Sequence, residues 1–133
     1  KTLGIKIKIK QVPYKQRLEM ERKHEFEMVV TGWVPDYSDP MSYLELWTTD
    51  SGYNHGSYSS KVYDERIQFA LKSADVQKRM DALFEAEKTL LEDGAIIPLQ
   101  LRRIAMLKNS KLINFESYFV GLNYEYTYAD FKE

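Results

Sequence analysis

The densest group of side chains able to do chemistry is the run Gly32-Trp33-Val34-Pro35-Asp36-Tyr37-Ser38-Asp39-Pro40. Asp36 and Asp39 supply carboxylates, and Trp33 and Tyr37 supply flat aromatic faces. Pro35 and Pro40 restrict the backbone, so a carboxylate carried here loses little entropy on binding. A fixed carboxylate beside aromatic rings suits an ammonium group, through charge-assisted hydrogen bonds and cation–π attraction. Asp39 is better explained as the cap of a following helix, because Pro40 fits the first helical position. Asp36 has no such local duty and is the stronger candidate for a ligand contact. Trp33 fits a ligand wall and a core position equally well. The two carboxylates could also be imagined as a general acid/base pair. That chemistry needs them facing each other across a cleft some ~5–10 Å wide, and no third group supports them. No catalytic residue is assigned, and the chain is read as a non-enzyme.

A second candidate stretch runs from Trp47 to Tyr58 and holds Trp47, Tyr53, Asn54, His55 and Tyr58. Aromatic and amide groups in a non-periodic loop suit adaptable recognition, and equally suit an ordinary surface loop. The two histidines, His24 and His55, lie 31 positions apart and show no metal-ligand spacing, so both are expected at the surface. No Gly-x-Ser-x-Gly elbow and no glycine-rich phosphate loop occurs. No metal or cofactor is expected.

These loops need elements to hold them. Leu3 to Lys10 alternates strictly, with Ile5, Ile7 and Ile9 against Lys6, Lys8 and Lys10, and reads as a half-buried strand with a solvated or edge face. Pro13 opens a short helix from Tyr14 to about Lys23. Glu25 to Trp33, rich in Phe, Val and Thr, reads as a second strand. Strand, helix, strand is the pattern of a βαβ unit with a short crossover. After the candidate loop, Met41 to Trp47 reads as a helix. Ser60 caps a helix to about Lys72, with Tyr63, Ile67, Ala70 and Leu71 on one face. Asp75 caps the strongest helix, Val76 to Asp93, with Met80, Leu83, Phe84, Leu90 and Leu91 as its stripe and Gly94 as its stop. Ala95 to Leu107 reads as a long strand, bent near Arg102-Arg103. Leu122 to Tyr128 reads as a last strand with a tyrosine face.

The 133 residues carry 19 Lys+Arg against 20 Asp+Glu, a net charge of −1. That balance argues against a nucleic-acid partner, which requires a clustered basic excess. The chain has no cysteine, so disulfides, Cys-ligated zinc and thiol catalysis are excluded. No apolar run approaches the ~20 residues of a membrane span, and no signal peptide is visible. Any membrane attachment would come from an anchor outside this chain. Ten tyrosines and two tryptophans are the compositional oddity and favour a recognition surface.

Four features in order resemble the C-terminal part of peptide-binding proteins of ABC importers, the peptide/nickel type of extracellular solute-binding proteins. They are Gly32-Trp33-x-x-Asp36-Tyr37-x-Asp39-Pro40, Asn54-x-x-x-Tyr58-Ser59 before a helix, the helix Met80 to Asp93 with Ala86-Glu87, and Gly94-Ala95-Ile96-Ile97-Pro98-Leu99. The resemblance covers Leu3 to Ile113. It implies an α/β class bordering on α+β: a mixed sheet with flanking helices, part of a two-lobe, type II periplasmic-binding-protein-like fold. Residues 1–115 would be most of the C-terminal ligand lobe, and residues 116–133 a tail returning to a missing N-terminal lobe. It further implies that Asp36 pairs with a peptide's α-ammonium and that Trp33 lines a side-chain pocket, with Tyr37, Asn54 and Tyr58 as further ligand contacts.

The implied partners are short peptides and the permease subunits of the transporter, outside the cytoplasmic membrane, as a periplasmic or lipid-anchored receptor. An exposed half-cleft also leaves the piece open to self-association. Where some members have a basic residue just before Gly-Trp, this chain has Val30 and Thr31. Within the same family a sugar, a metal chelate or haem is the alternative ligand, with Trp33, Trp47 and His55 as the contacts. A carboxylate-based hydrolase and an interaction domain without a small ligand are the readings outside it.

Overall fold

The structure, a computed structural model, describes residues 4–101, 105–118 and 124–132. The chain divides into two compact units, Lys1–Thr31 and Gly32–Glu133.

In the first unit one helix forms, α1 (Tyr14–Arg22). Its Gln, Arg, Leu, Glu and Met are good helix formers. Pro13 precedes it at φ −59°, and His24 ends it in the left-handed region at φ 55°. Arg17 organises this unit. Its guanidinium pairs with the buried Glu21 carboxylate, donates to Thr31 Oγ1 at 2.7 Å and lies 5.1 Å from the centre of the Tyr14 ring.

The strands expected at 3–10 and 25–33 are not formed among the described residues. Ile5, Ile7 and Ile9 are 66, 75 and 87% exposed, and Met28 and Val30 are also exposed. The alternation is real, but a strand exists only when a neighbour takes its backbone N–H and C=O groups, and no described residue pairs with these.

The second unit is built on helices. Asp39 and Pro40 lead into α2 (Met41–Leu44), which continues as a turn of 3-10 helix, Glu45–Trp47. α3 (Lys61–Lys72) starts at Ser60, whose hydroxyl accepts from the Tyr63 N–H at 3.4 Å. α4 (Val76–Glu92) starts at Asp75, whose carboxylate accepts from the Lys78 N–H at 3.0 Å, and stops at Gly94, φ 66°. The core joins Met41 and Leu44 to Tyr63, Ile67 and Ala70 of α3 and Leu83, Ala86 and Leu90 of α4. Ala70 and Ala86 let the two helices approach closely. Leu71, Met80, Phe84 and Leu91, expected in the apolar stripes, are exposed. Leu83, Ala86 and Leu90 complete the contact with α3, and the adjoining arc of α4 is left to solvent.

From Ala95 to Leu101 the chain forms no strand, again because no neighbour pairs with it, and the bend expected at Arg102-Arg103 lies outside the described residues. The end of the chain pairs with itself. β1 (Leu112–Ile113) is antiparallel to β4 (Asp130–Phe131), and β2 (Glu116–Ser117) to β3 (Tyr124–Glu125). Phe115 stacks with Tyr124 and Tyr126 at 5.8 and 6.0 Å. Of the last expected strand, Leu122 to Tyr128, the described part is extended and paired at Tyr124–Glu125, and residues 119–123 lie outside the description. No described residue from 105 onward is buried.

Candidate functional site

The residues 33–39 are held from below. Pro35 is buried, and the Asp36 N–H donates to Oγ of the buried Ser42 at 3.0 Å. Asp39 Oδ1 accepts from the Met41 N–H at 2.8 Å, so Asp39 does serve the start of α2. It has a second partner that no local spacing announces. Both Asp39 oxygens receive the Arg79 guanidinium of α4, Nη1 to Oδ2 and Nη2 to Oδ1, at 2.8 Å each. The Arg79 bonds, with help from the Met41 N–H, hold the Asp39 carboxyl below the usual carboxylate range.

Beside this loop lies an open depression of about 420 Å³. Its wall includes Trp33, Tyr53, Asp36, Glu45, Asp50 and Gln68, with Ile67 and Leu71 contributing apolar surface. Trp33 and Tyr53 meet edge to face, centroids 5.1 Å apart at 65°. The Trp33 indole N–H is shielded from solvent and has no hydrogen-bond acceptor among the described residues. Three lining residues are acidic, and among the described lining residues none is basic. The chemistry on offer is therefore an aromatic wall with uncompensated negative charge. Among the described residues no group of three or more His, Cys, Asp or Glu is placed to hold a metal ion.

Of the five candidate residues, Trp33 and Asp36 line this depression together; Tyr37, Asn54 and Tyr58 do not. The Tyr37 hydroxyl donates to Glu45 Oε1 at 3.0 Å. Partial burial, then that bond to a carboxylate, pushes the phenol up to about 12. Asn54 is buried, and its carboxamide is spent on backbone: Nδ2 donates to the carbonyls of Thr48 and Tyr58 at 3.1 and 2.6 Å, and Oδ1 accepts from the Tyr58 N–H at 3.0 Å. The Tyr58 ring packs edge to face on Tyr63, and its hydroxyl donates to Asp93 Oδ2 at 2.6 Å. Asp64 of α3 accepts from both the N–H and the hydroxyl of Thr49, at 3.0 and 2.6 Å. The stretch expected to be adaptable is therefore anchored at Thr48, Thr49, Asn54 and Tyr58.

Glu45, Asp50 and Arg79 were not legible as site residues. Glu45 lies on a short helix, Asp50 in a polar loop, and Arg79 on a helix 40 residues from its partner. The one usable signal was Tyr53, already part of the aromatic stretch.

Residues 1–55 match the family model of bacterial extracellular solute-binding proteins, family 5. A dipeptide-binding protein of Lactococcus lactis subsp. cremoris is 35% identical over 132 residues, 97% of this chain and 24% of the relative. The substrate-binding domain of an oligopeptide ABC transporter from Bacillus anthracis superposes with a TM-score of 0.84 at 32% identity, covering 98% of this chain and 26% of that one. Listeria monocytogenes OppA bound to peptide gives 0.79 at 36% identity, covering 98% and 24%. The fold is that of a mixed α/β part of a type II periplasmic-binding-protein-like receptor. The chain spans about a quarter of the length of the relatives it matches. The chain is thus similar to the bacterial extracellular solute-binding proteins of family 5 over residues 1–55, and to relatives named as dipeptide- and oligopeptide-binding proteins along most of its length.

Proposed function

We propose that this chain supplies peptide-binding surface to an extracytoplasmic receptor that hands short peptides to the permease of an ABC importer. The depression beside Trp33 carries this reading, since its carboxylates Asp36, Glu45 and Asp50 have no basic neighbour on the wall. A free peptide brings the matching group, its α-ammonium. Asp36, an exposed carboxylate whose backbone follows the buried Pro35 and is held by Ser42, receives it, while Trp33 and Tyr53 flank the first residues. Tyr37, Asn54 and Tyr58 serve the site mainly through the loops they hold. The names of the relatives, dipeptide- and oligopeptide-binding proteins, support a peptide over a sugar, a metal chelate or haem.

Residues 1–115 act as most of one ligand lobe. Residues 116–133, of which no described residue is buried, act as the tail that returns to the other lobe. A lone lobe offers half an enclosure, so its affinity is in the millimolar range, ~4 kcal/mol.

The test is an NMR titration of the chain with tri-alanine and with N-acetyl-tri-alanine, following the two indole N–H signals. The free amine should bind and shift the Trp33 signal, the acetylated peptide should bind at least tenfold more weakly, and Asp36→Ala should abolish the difference. Equal binding of both peptides would sink the assignment.

A further inference from the structure

We infer that Arg79, which does not line the depression, is a positioning residue for the ammonium subsite. This rests on the reading of Asp36 given above. A continuous bonded path joins the guanidinium to the Asp36 backbone. Arg79 grips both oxygens of Asp39 at 2.8 Å. The Asp39 carbonyl accepts from the Ser42 N–H at 3.1 Å, and Ser42 Oγ accepts from the Asp36 N–H at 3.0 Å. Ser42 is 1% exposed, so its end of this part-buried link is well shielded from solvent.

A two-pronged guanidinium–carboxylate bond fixes the orientation of the carboxylate as well as its distance. A lysine could supply the charge but not the fork. The path also solves an electrostatic problem. The loop is tied down by a cation, yet that cation is spent on Asp39 and is absent from the wall of the depression. The negative charge of Asp36 is thereby left for the ligand. Arg79 sits in the first turn of α4, whose Leu83, Ala86 and Leu90 are locked in the core, so the anchor itself is rigid.

The readout is the ratio of tri-alanine affinity to N-acetyl-tri-alanine affinity, which a general loss of stability does not change in molecules that remain folded. Arg79→Met should cut this ratio about tenfold, the scale of one misplaced charge-assisted bond, with the acetylated peptide unaffected. Arg79→Lys should fall between the two. A ratio unchanged in Arg79→Met would overturn the inference and leave Arg79 a structural tie. If Arg79→Met loses its dispersed spectrum, Arg79→Lys decides: a reduced ratio supports the role and an unchanged ratio rejects it. Absence of any free-amine preference in the unsubstituted chain would instead defeat the Asp36 reading, and this inference with it.

Discussion

The Asn54 side chain and the Tyr58 backbone bond each other twice, as two neighbouring strands would: Tyr58 N–H to Asn54 Oδ1 at 3.0 Å and Asn54 Nδ2 to the Tyr58 carbonyl at 2.6 Å. A third bond, Nδ2 to the Thr48 carbonyl at 3.1 Å, draws the two ends of the loop together. Asn54 is 8% exposed, so little water can replace it. Asn54→Ala should cost about 2–3 kcal/mol, because it strands backbone groups out of water. Urea unfolding followed by tryptophan fluorescence measures this, and a loss under about 0.5 kcal/mol would mean that the loop holds without its amide.

Tyr63 ties α2 to α3 in the same way. Its hydroxyl donates to the Leu44 carbonyl at 2.5 Å, at the junction between α2 and the 3-10 turn, in a buried setting. Tyr63→Phe keeps the ring and deletes that bond, so it should destabilise by about 1–2 kcal/mol. Burial raises the ionisation of this phenol well above its ordinary range. The folded state therefore holds the proton more tightly than the unfolded chain. That contribution is complete below the unfolded pKa of about 10 and is lost as pH rises beyond it. Unfolding midpoints between pH 8 and 11 should fall for the native chain and fall less for Tyr63→Phe.

The helices were legible because their signals are local. Ser60, Asp75 and Gly94 mark the boundaries of α3 and α4 within four residues of the groups they bond, and the structure uses all three. Asp36 and Trp33 were legible as a pair because Pro35 and Pro40 make that loop unusual in composition. Glu45, Asp50 and Arg79 were not, since their relation to Asp36 and Asp39 is created by packing α2 on α4 and leaves no spacing in the chain. Nor could alternation alone tell whether Ile5, Ile7 and Ile9 would find a neighbouring strand.

The Asp39–Arg79 pair has a pH signature of defined sign. The guanidinium depresses the Asp39 pKa in the folded state, so the pair stabilises fully above the unfolded carboxylate value of about 4 and is lost as pH falls through the depressed folded value. Both side chains are about one quarter exposed, at 26% for Arg79 and 28% for Asp39, so solvent screens part of the attraction. Asp39→Asn should be less stable than the native chain by about 1–2 kcal/mol at pH 7. The gap should narrow as pH falls below about 4 and go on narrowing as pH falls through the depressed folded value. A gap that stays constant across this range would mean that the charge of the Asp39–Arg79 pair does not carry the stabilisation, since an asparagine oxygen can still accept the Met41 N–H.

Ile7 and Leu83 are both large aliphatic side chains in strongly patterned segments, but Ile7 is 75% exposed and Leu83 is 1% exposed. Burial, not pattern, sets the energy. Leu83→Ala opens a cavity between α3 and α4 and should cost about 3 kcal/mol. Ile7→Ala removes a side chain already in water and should change stability by less than about 0.5 kcal/mol. Amide hydrogens of residues 5–9 have no ladder partner among the described residues, so they should exchange at nearly the rate of unfolded chain, while those in the middle of α4 exchange only on global opening. Slow exchange at 5–9, or a loss in Ile7→Ala approaching that of Leu83→Ala, would mean that a strand pairing forms in solution and buries this face.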